Sequence, residues 1–356
     1  MTLTKGVLRG AMLFLAIAMI AMSGGEAQGA VSDKSLDKAA MAQEAAFYKG
    51  KILALVVPYG PGGGYDAYAR MIAPFIEKYT GSTVIIQNVP GGGTIVGTLQ
   101  MYRARPDGLT MSIVQLSALV VRTLMGENMG FDMNKVNWLA RVASENRLVT
   151  VGQKAPYRSL DDIKKSTHPV KFSAAGVLSS DFNHLALFAE ALGLNIKLVT
   201  AYESSSEQDL AVIRGDVDGT IGSYTSKQKF VKSGDMIPVV QFAAARHKEM
   251  PTISLGTELP NLTPTGKSLL TFINHQAIFD RVFAAPPGIP ANRLTFLRGA
   301  VMKALSDPEL LAIGEKQKRP LDPADAAAVT QSVKQDLQMP AQLQELIKKT
   351  LKAYKG

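Results

Sequence analysis

Between Lys51 and Thr110 the chain alternates short apolar runs with glycine loops and helical periodicity, and few folds accept that alternation. Ile52-Leu53-Ala54-Leu55-Val56-Val57 is an apolar run that stops at Pro58, as a buried parallel strand would. Tyr59-Gly60-Pro61-Gly62-Gly63-Gly64-Tyr65-Asp66 follows, and its glycines allow positive φ and close approach of a ligand to bare amides. Asp66 is expected to cap the next helix. Tyr68, Ile72, Phe75, Ile76 and Tyr79 recur at helical spacing up to Gly81, with a kink expected at Pro74.

The pattern then repeats. Thr83-Val84-Ile85-Ile86 reads as a second strand, Asn88-Val89-Pro90-Gly91-Gly92-Gly93-Thr94 as a second glycine loop, and a short helix continues to about Arg103. Pro106-Asp107-Gly108 turns into a third strand, Leu109 to Leu116, with Ser117 at its end. Such units make a parallel sheet with both glycine loops at its carboxyl edge, where open sheets bind ligands. Helix starts there offer free N–H groups and a dipole suited to an anion. Neither loop contains arginine or lysine, so amides and helix dipoles, rather than an ion pair, are expected to hold the anion.

These three segments, Pro58 to Asp66, Asn88 to Gly93 and Pro106-Asp107-Gly108, resemble the periplasmic solute-binding proteins of tripartite tricarboxylate transporters, the TctC or Bug family. Phe131-Asp132 through Trp138-Leu139, Gly176 to His184, Tyr202 to Ser206, Arg214 to Asp218 and the return at Arg281 to Pro290 also match the family's pattern. The Gly176 loop departs from the commonest Gly-x-Gly-Ser form, having Leu178 and an extra Asp181-Phe182. The resemblance implies an α/β, two-lobed periplasmic binding-protein fold, each lobe a mostly parallel sheet flanked by helices. It implies a monomer that closes on a small carboxylate and delivers it to large and small membrane subunits, with no chemistry of its own.

The second half repeats the logic of the first. Val170 to Ala174 and Ile196 to Tyr202 read as strands, and Ser179-Ser180 and Ser204-Ser205 precede helices that end at Gly193 and Gly215. Serine hydroxyls there either cap helices or face the glycine loops across a cleft. The candidate ligand-binding set is Tyr59, Gly62, Gly63, Gly64, Tyr65, Asp66, Gly91, Gly92, Gly93, Thr94, Ser117, Ser179, Ser180, Tyr202, Ser204, Ser205 and Tyr224. Trp138 reads as a core anchor and His184 as a packed residue. Asp307-Pro308 and Asp322-Pro323 read as helix starts.

The N-terminus reads as a secretory signal: Lys5 and Arg9, an apolar run from Ala11 to Met22, then small residues, with cleavage expected after Ala27 and with Ser23 and Gly29 as rivals. The mature chain is then periplasmic, and zero cysteines leave it neither a lipid anchor nor disulfides. A net charge of +9 would steer anionic solutes, and no basic cluster interleaved with aromatics points to nucleic acid. Four scattered histidines and no cysteine argue against a metal site. Gly62-x-Gly64-x-x-Ala67 fits the dinucleotide fingerprint only loosely, with Asn88 where an acid belongs, so no cofactor is expected.

The expected organisation is a signal peptide over residues 1–27, a first lobe over 28–147, a second over 148–275, and a return to the first lobe over 276–356. Crossovers are expected near Arg147 and between Ala243 and Arg281. Two rival readings are a sensor that presents the same solute to a receptor and an exported hydrolase. The hydrolase lacks a coherent acid, base and nucleophile set.

Overall fold

The computed structural model describes residues 33–144, 146–200, 202 and 204–355. The expected signal peptide and its cleavage site lie outside the described residues. Helix α1 (Asp33–Tyr48) precedes β1 (Ile52–Val57), α2 (Gly64–Thr80), β2 (Thr83–Asn88), α3 (Ile95–Tyr102), β3 (Thr110–Gln115), α4 (Leu116–Leu124) and β4 (Asn137–Ala143). The chain then builds β5 (Arg147–Gly152), α5 (Leu160–Lys164), β6 (Val170–Ser173), α6 (Ser180–Leu192), β7 (Ile196–Val199), α7 (Ser205–Arg214), β8 (Gly219–Ser223), α8 (Tyr224–Ser233) and β9 (Met236–Phe242). It ends with α9 (Pro264–Ile278), β10 (Arg281–Ala285), α10 (Ala291–Leu305), α11 (Pro308–Lys316), β11 (Ala324–Asp325), α12 (Ala326–Leu337) and α13 (Ala341–Lys355).

Two helix-flanked sheets result, in the strand orders β11-β4-β10-β3-β1-β2 and β7-β6-β8-β5-β9. Strands β2-β1-β3 and β7-β6-β8 run parallel, as their helical crossovers require. The sheets as wholes are mixed, with four of six strands in the first and four of five in the second running the same way. The reason is connectivity: β10 comes back from the second sheet and slots antiparallel between β3 and β4, and β5 lies antiparallel between β8 and β9.

Local chemistry sets several boundaries. Gly81, Gly193 and Gly215 close α2, α6 and α7 in the left-handed conformation. Ser159 and Asp162 form the capping box that starts α5. Helix α2 continues through Pro74. Helix α12 starts after Asp325, whose carboxylate accepts the Ala328 N–H at 2.8 Å, and not after the expected Asp322-Pro323. The strand expected to reach Tyr202 stops at Val199.

On one face of the first sheet, Tyr68, Ile72, Phe75 and Ile76 of α2 meet Leu297, Val301 and Leu305 of α10 over Leu53, Leu55 and Ile113. Each fully buried aliphatic or aromatic side chain of this kind contributes about 1.5–3 kcal/mol. A second core is continuous across both sheets. It joins Val114, Leu119 and Trp138 to Phe172, Phe188 and Phe242, and it includes Ile347 and Leu351 of α13. Helix α13 packs on α6 and α9. The two sheets therefore share one apolar core on this side.

Candidate functional site

Strands β1 and β2 pair from Ile52 with Thr83 to Val57 with Asn88, so they end level and release their glycine loops side by side. Asn88 ties the loops together: its side-chain amide donates to the Tyr59 carbonyl and to Asp66 Oδ1, both at 3.0 Å. Strand β3 ends at the same edge and passes straight into α4. Three helix starts thus lie along one edge of the first sheet. The starts of α6, α7 and α8 follow β6, β7 and β8 in the same way on the second.

In the first loop Gly62 takes φ +83° and Gly63 is the N-cap of α2, with no capping side chain. Asp66 is not the cap expected from sequence. It lies in the first turn and folds back to accept the Gly62 N–H at 2.8 Å and Arg70 Nε at 2.9 Å. Burial alone would raise its carboxyl, but the bonds from Arg70, Gly62 and Asn88 outweigh this and hold its pKa below the ordinary value. The Gly62 amide is therefore already taken. The amides of Gly64, Tyr65 and Asp66 have no acceptor within the helix, whose first bond runs from the Ala67 N–H to the Gly63 carbonyl at 2.9 Å.

In the second loop Gly91, Gly92, Gly93 and Thr94 all take positive φ, at +129°, +56°, +60° and +82°. Thr94 is 4% exposed, and its hydroxyl oxygen has no hydrogen-bond partner. Gly97, in α3, lets that helix lie against both loops. A Cβ there would stand 2.6 Å from the Val89 carbonyl oxygen and 2.9 Å from Pro58 Cα.

Two arginines that no local reading of the loops includes come to them from elsewhere. A Cβ on Gly64 would meet Arg281 Nη2 at 3.6 Å, and the Arg281 guanidinium lies over the rings of Tyr65 and Tyr68, 4.5 and 4.1 Å from their centroids. A Cβ on Gly93 would meet Arg122 Nη2 at 2.7 Å. Beside the first loop lies a buried polar network. Tyr59 donates to Gln115 Oε1 at 2.8 Å, Gln115 Nε2 and Tyr65 donate to Asp280 Oδ2 at 3.2 and 3.3 Å, and Arg147 Nη1 stands 3.7 Å from the same oxygen. Ser117 donates to the other oxygen of Asp280 through both its amide and its hydroxyl. Burial first, then the Asp280 charge, raises the Tyr59 hydroxyl, and Asp181 of α6 adds to this effect.

On the second sheet Ser179 caps α6: it accepts the Phe182 N–H and donates to the Gly176 carbonyl at 2.6 Å. Ser180 is buried with its hydroxyl unpartnered. His184 is fully buried 3.2 Å from Gln276 Oε1, and burial, then the Arg147 charge, pushes its pKa well down, leaving it neutral. Ser204 caps α7 by accepting the Glu207 N–H, and Ser205 is exposed at the first position of that helix. Tyr202 packs on Ala211, Val212, Val217 and Met236. The Tyr224 hydroxyl donates to Glu249, and its ring lies 4.2 Å from that of His247. Tyr59, Tyr65, Ser117 and the two glycine loops are thus brought together, whereas Tyr202 and Tyr224 have other neighbours. Sequence reasoning missed Gln115, Arg122, Arg147, Asp280 and Arg281, which join the site only through tertiary contacts.

Comparison with known proteins agrees with this architecture. The structure of the periplasmic binding protein BugD superposes with a TM-score of 0.68 at 21% identity, over 85% of this chain and 98% of that one. The structure of R. palustris Rpa4515 with adipate gives 0.68 at 19% identity, over 85% and 97%. A UPF0065 protein of Bordetella bronchiseptica is 25% identical over 276 residues, 76% of this chain and 77% of the relative. Residues 68–351 match the model of the tripartite tricarboxylate transporter family receptors, starting just past the first glycine loop. With a match that runs from within α2 through the second loop and the second sheet to the returning strand and beyond, the chain belongs to that receptor family.

Proposed function

We propose that this protein is a periplasmic solute-binding protein that captures a small carboxylate between its lobes and hands it to the membrane subunits of a tripartite transporter. The supporting observation is the pairing of two positive-φ glycine loops at neighbouring helix starts, tied by Asn88 and flanked by Arg281 and Arg122. The relative solved with adipate supports a carboxylate as the ligand class. In this reading the amides of Gly63, Gly64 and Gly91 to Thr94 receive the anion. Ser179, Ser180, Ser204 and Ser205 contribute from the second lobe. The protein is exported behind residues 1–27, acts as a monomer and carries out no reaction. Closure hinges near Arg147 and in the stretch from Ala243 to Arg281, and the shared apolar core limits its amplitude.

A thermal-shift screen against mono-, di- and tricarboxylates, aromatic acids and amino acids tests the reading. A specific solute at a hundred times its dissociation constant adds about 2.7 kcal/mol of stability. A carboxylate hit supports the proposal, and a screen in which no carboxylate shifts the folded protein contradicts it.

A further inference from the structure

We infer that the outer edge of the first sheet, strand β2 with the face of β1 and α3 beside it, is a docking surface for an extended acidic segment of a partner protein, whichever solute the cleft holds. Five large apolar side chains stand exposed among the described residues, and three of them, Ile52, Ile85 and Val96, share this face. Ile52 pairs with Thr83, and side chains alternate along each strand, so Ile52, Thr83, Ile85 and Gln87 point the same way. Helix α3 lies on that face over β3 and β1, with Gln100 Nε2 donating to Gln87 Oε1 at 3.2 Å and Val96 one turn before it. It leaves β2 uncovered: Thr83, Ile85 and Gln87 are all exposed, whereas Val84 and Ile86 on the other face pack with α2.

Strand β2 is also the last of its sheet. The Thr83 and Val89 amides donate to Lys51 and Val57, so the backbone groups of Val84, Ile86 and Asn88 point outward. Glu77 accepts the Val84 N–H at 2.7 Å, which leaves Ile86 to offer an N–H and a C=O to an added strand. Charge selects the strand that fits. From Lys49 to Arg105 the sequence has six cationic residues and two acidic ones, Asp66 and Glu77. Both acids are occupied, Asp66 by Gly62, Arg70 and Asn88, and Glu77 by Val84. Lys49 and Lys51 are exposed at the Ile52 end of the face, and Arg103 is exposed where α3 ends. Two copies paired through this edge would bring two cationic surfaces together, whereas an acidic strand is matched. The face reaches the second glycine loop, since a Cβ on Gly91 would stand 3.0 Å from Val96 Cγ2.

The test is fluorescence anisotropy of the purified protein with short end-labelled peptides in which valine alternates with glutamate or with lysine. The glutamate peptide should bind about tenfold or more tighter than the lysine peptide, and changing Lys49→Glu and Lys51→Glu together should reverse that order. Ile85→Thr, which keeps a β-branched residue on the exposed face, should weaken the glutamate peptide severalfold. Hydrogen exchange reports strand addition itself: the Ile86 amide should slow by about tenfold or more in the complex. No binding of the glutamate peptide, equal affinity for the two peptides, or an Ile86 amide unprotected in the complex overturns the inference. So does binding to phosphatidylglycerol vesicles without binding to the peptide, which would make the face a membrane contact. So does a dimer in sedimentation whose Ile86 amide is protected without peptide. If the Lys49→Glu, Lys51→Glu protein does not fold, the wild-type ratio and the Ile86 amide decide. None of these outcomes bears on solute capture, which the thermal-shift screen decides.

Discussion

Asp280, the residue before β10, accepts hydrogen bonds from both the amide and the hydroxyl of Ser117, the second residue of α4. A helix start beside the two glycine loops is thus filled by the protein's own carboxylate. The same side chain draws Tyr65, Gln115 and Arg147 to its other oxygen, so it connects the returning strand, the first loop and the crossover into the second sheet.

Asp280→Ala leaves Arg147 buried without its carboxylate and removes the acceptor of four further donor groups, on Ser117, Gln115 and Tyr65. It should cost about 3–5 kcal/mol of stability, measured by urea denaturation. Asp280→Asn should cost less, since it keeps an acceptor for Ser117. An Asp280→Ala protein as stable as the wild type would show that the network contributes nothing.

Asp66 gives a pH signature. Its carboxyl is held below the ordinary 3.8 in the folded protein, so it takes up a proton more readily once unfolded. The stabilisation is fully present above pH 3.8 and is lost as pH falls through the lower folded value. Asp66→Asn should cost about 1.5–3 kcal/mol at neutral pH, as bonds to charged groups do. In thermal melts followed from neutral pH down through 3.8, the gap between wild type and variant should close on the acid side. A gap that stays constant would contradict this assignment.

Gly97→Ala drives a methyl group into two backbone segments, one from each glycine loop. It should cost about 1–3 kcal/mol and weaken solute binding, because α3 must move off both loops. Gly299, in α10, is the control. A Cβ there meets nothing within 4 Å, so Gly299→Ala should be neutral or add about 0.5–1 kcal/mol. Equal stability of the two variants would exclude the close approach at Gly97.

What the sequence made legible was local. Strand β1, both glycine loops and the Gly193 and Gly215 helix ends are each specified by neighbouring residues. Helices α4 and α8 are not legible, because each begins on the residue after a strand, with no turn between to mark the change. Asp66 is misplaced as a cap because the true cap, Gly63, carries no side chain to announce itself. The mixed pairing of the sheets follows from where β10 returns, which no local pattern encodes. Arg122, Arg147, Asp280 and Arg281 escape a sequence reading for the same reason.

The capture of a carboxylate on α2's first turn is tested most directly at Gly63. This residue has φ −77° and ψ 174°, ordinary extended backbone, and a Cβ there meets only the Gly60 carbonyl oxygen at 3.9 Å. A side chain therefore fits, whereas at Gly92, with φ +56°, any variant would be strained. Gly63→Asp places the protein's own carboxylate on the amides proposed for the solute, as Asp280 does at α4. The variant should keep its stability or gain a few tenths of a kcal/mol, and calorimetric titration with the best carboxylate of the screen should show affinity down by about tenfold or more. A folded Gly63→Asp that binds that carboxylate with wild-type affinity would show that the anion is held elsewhere.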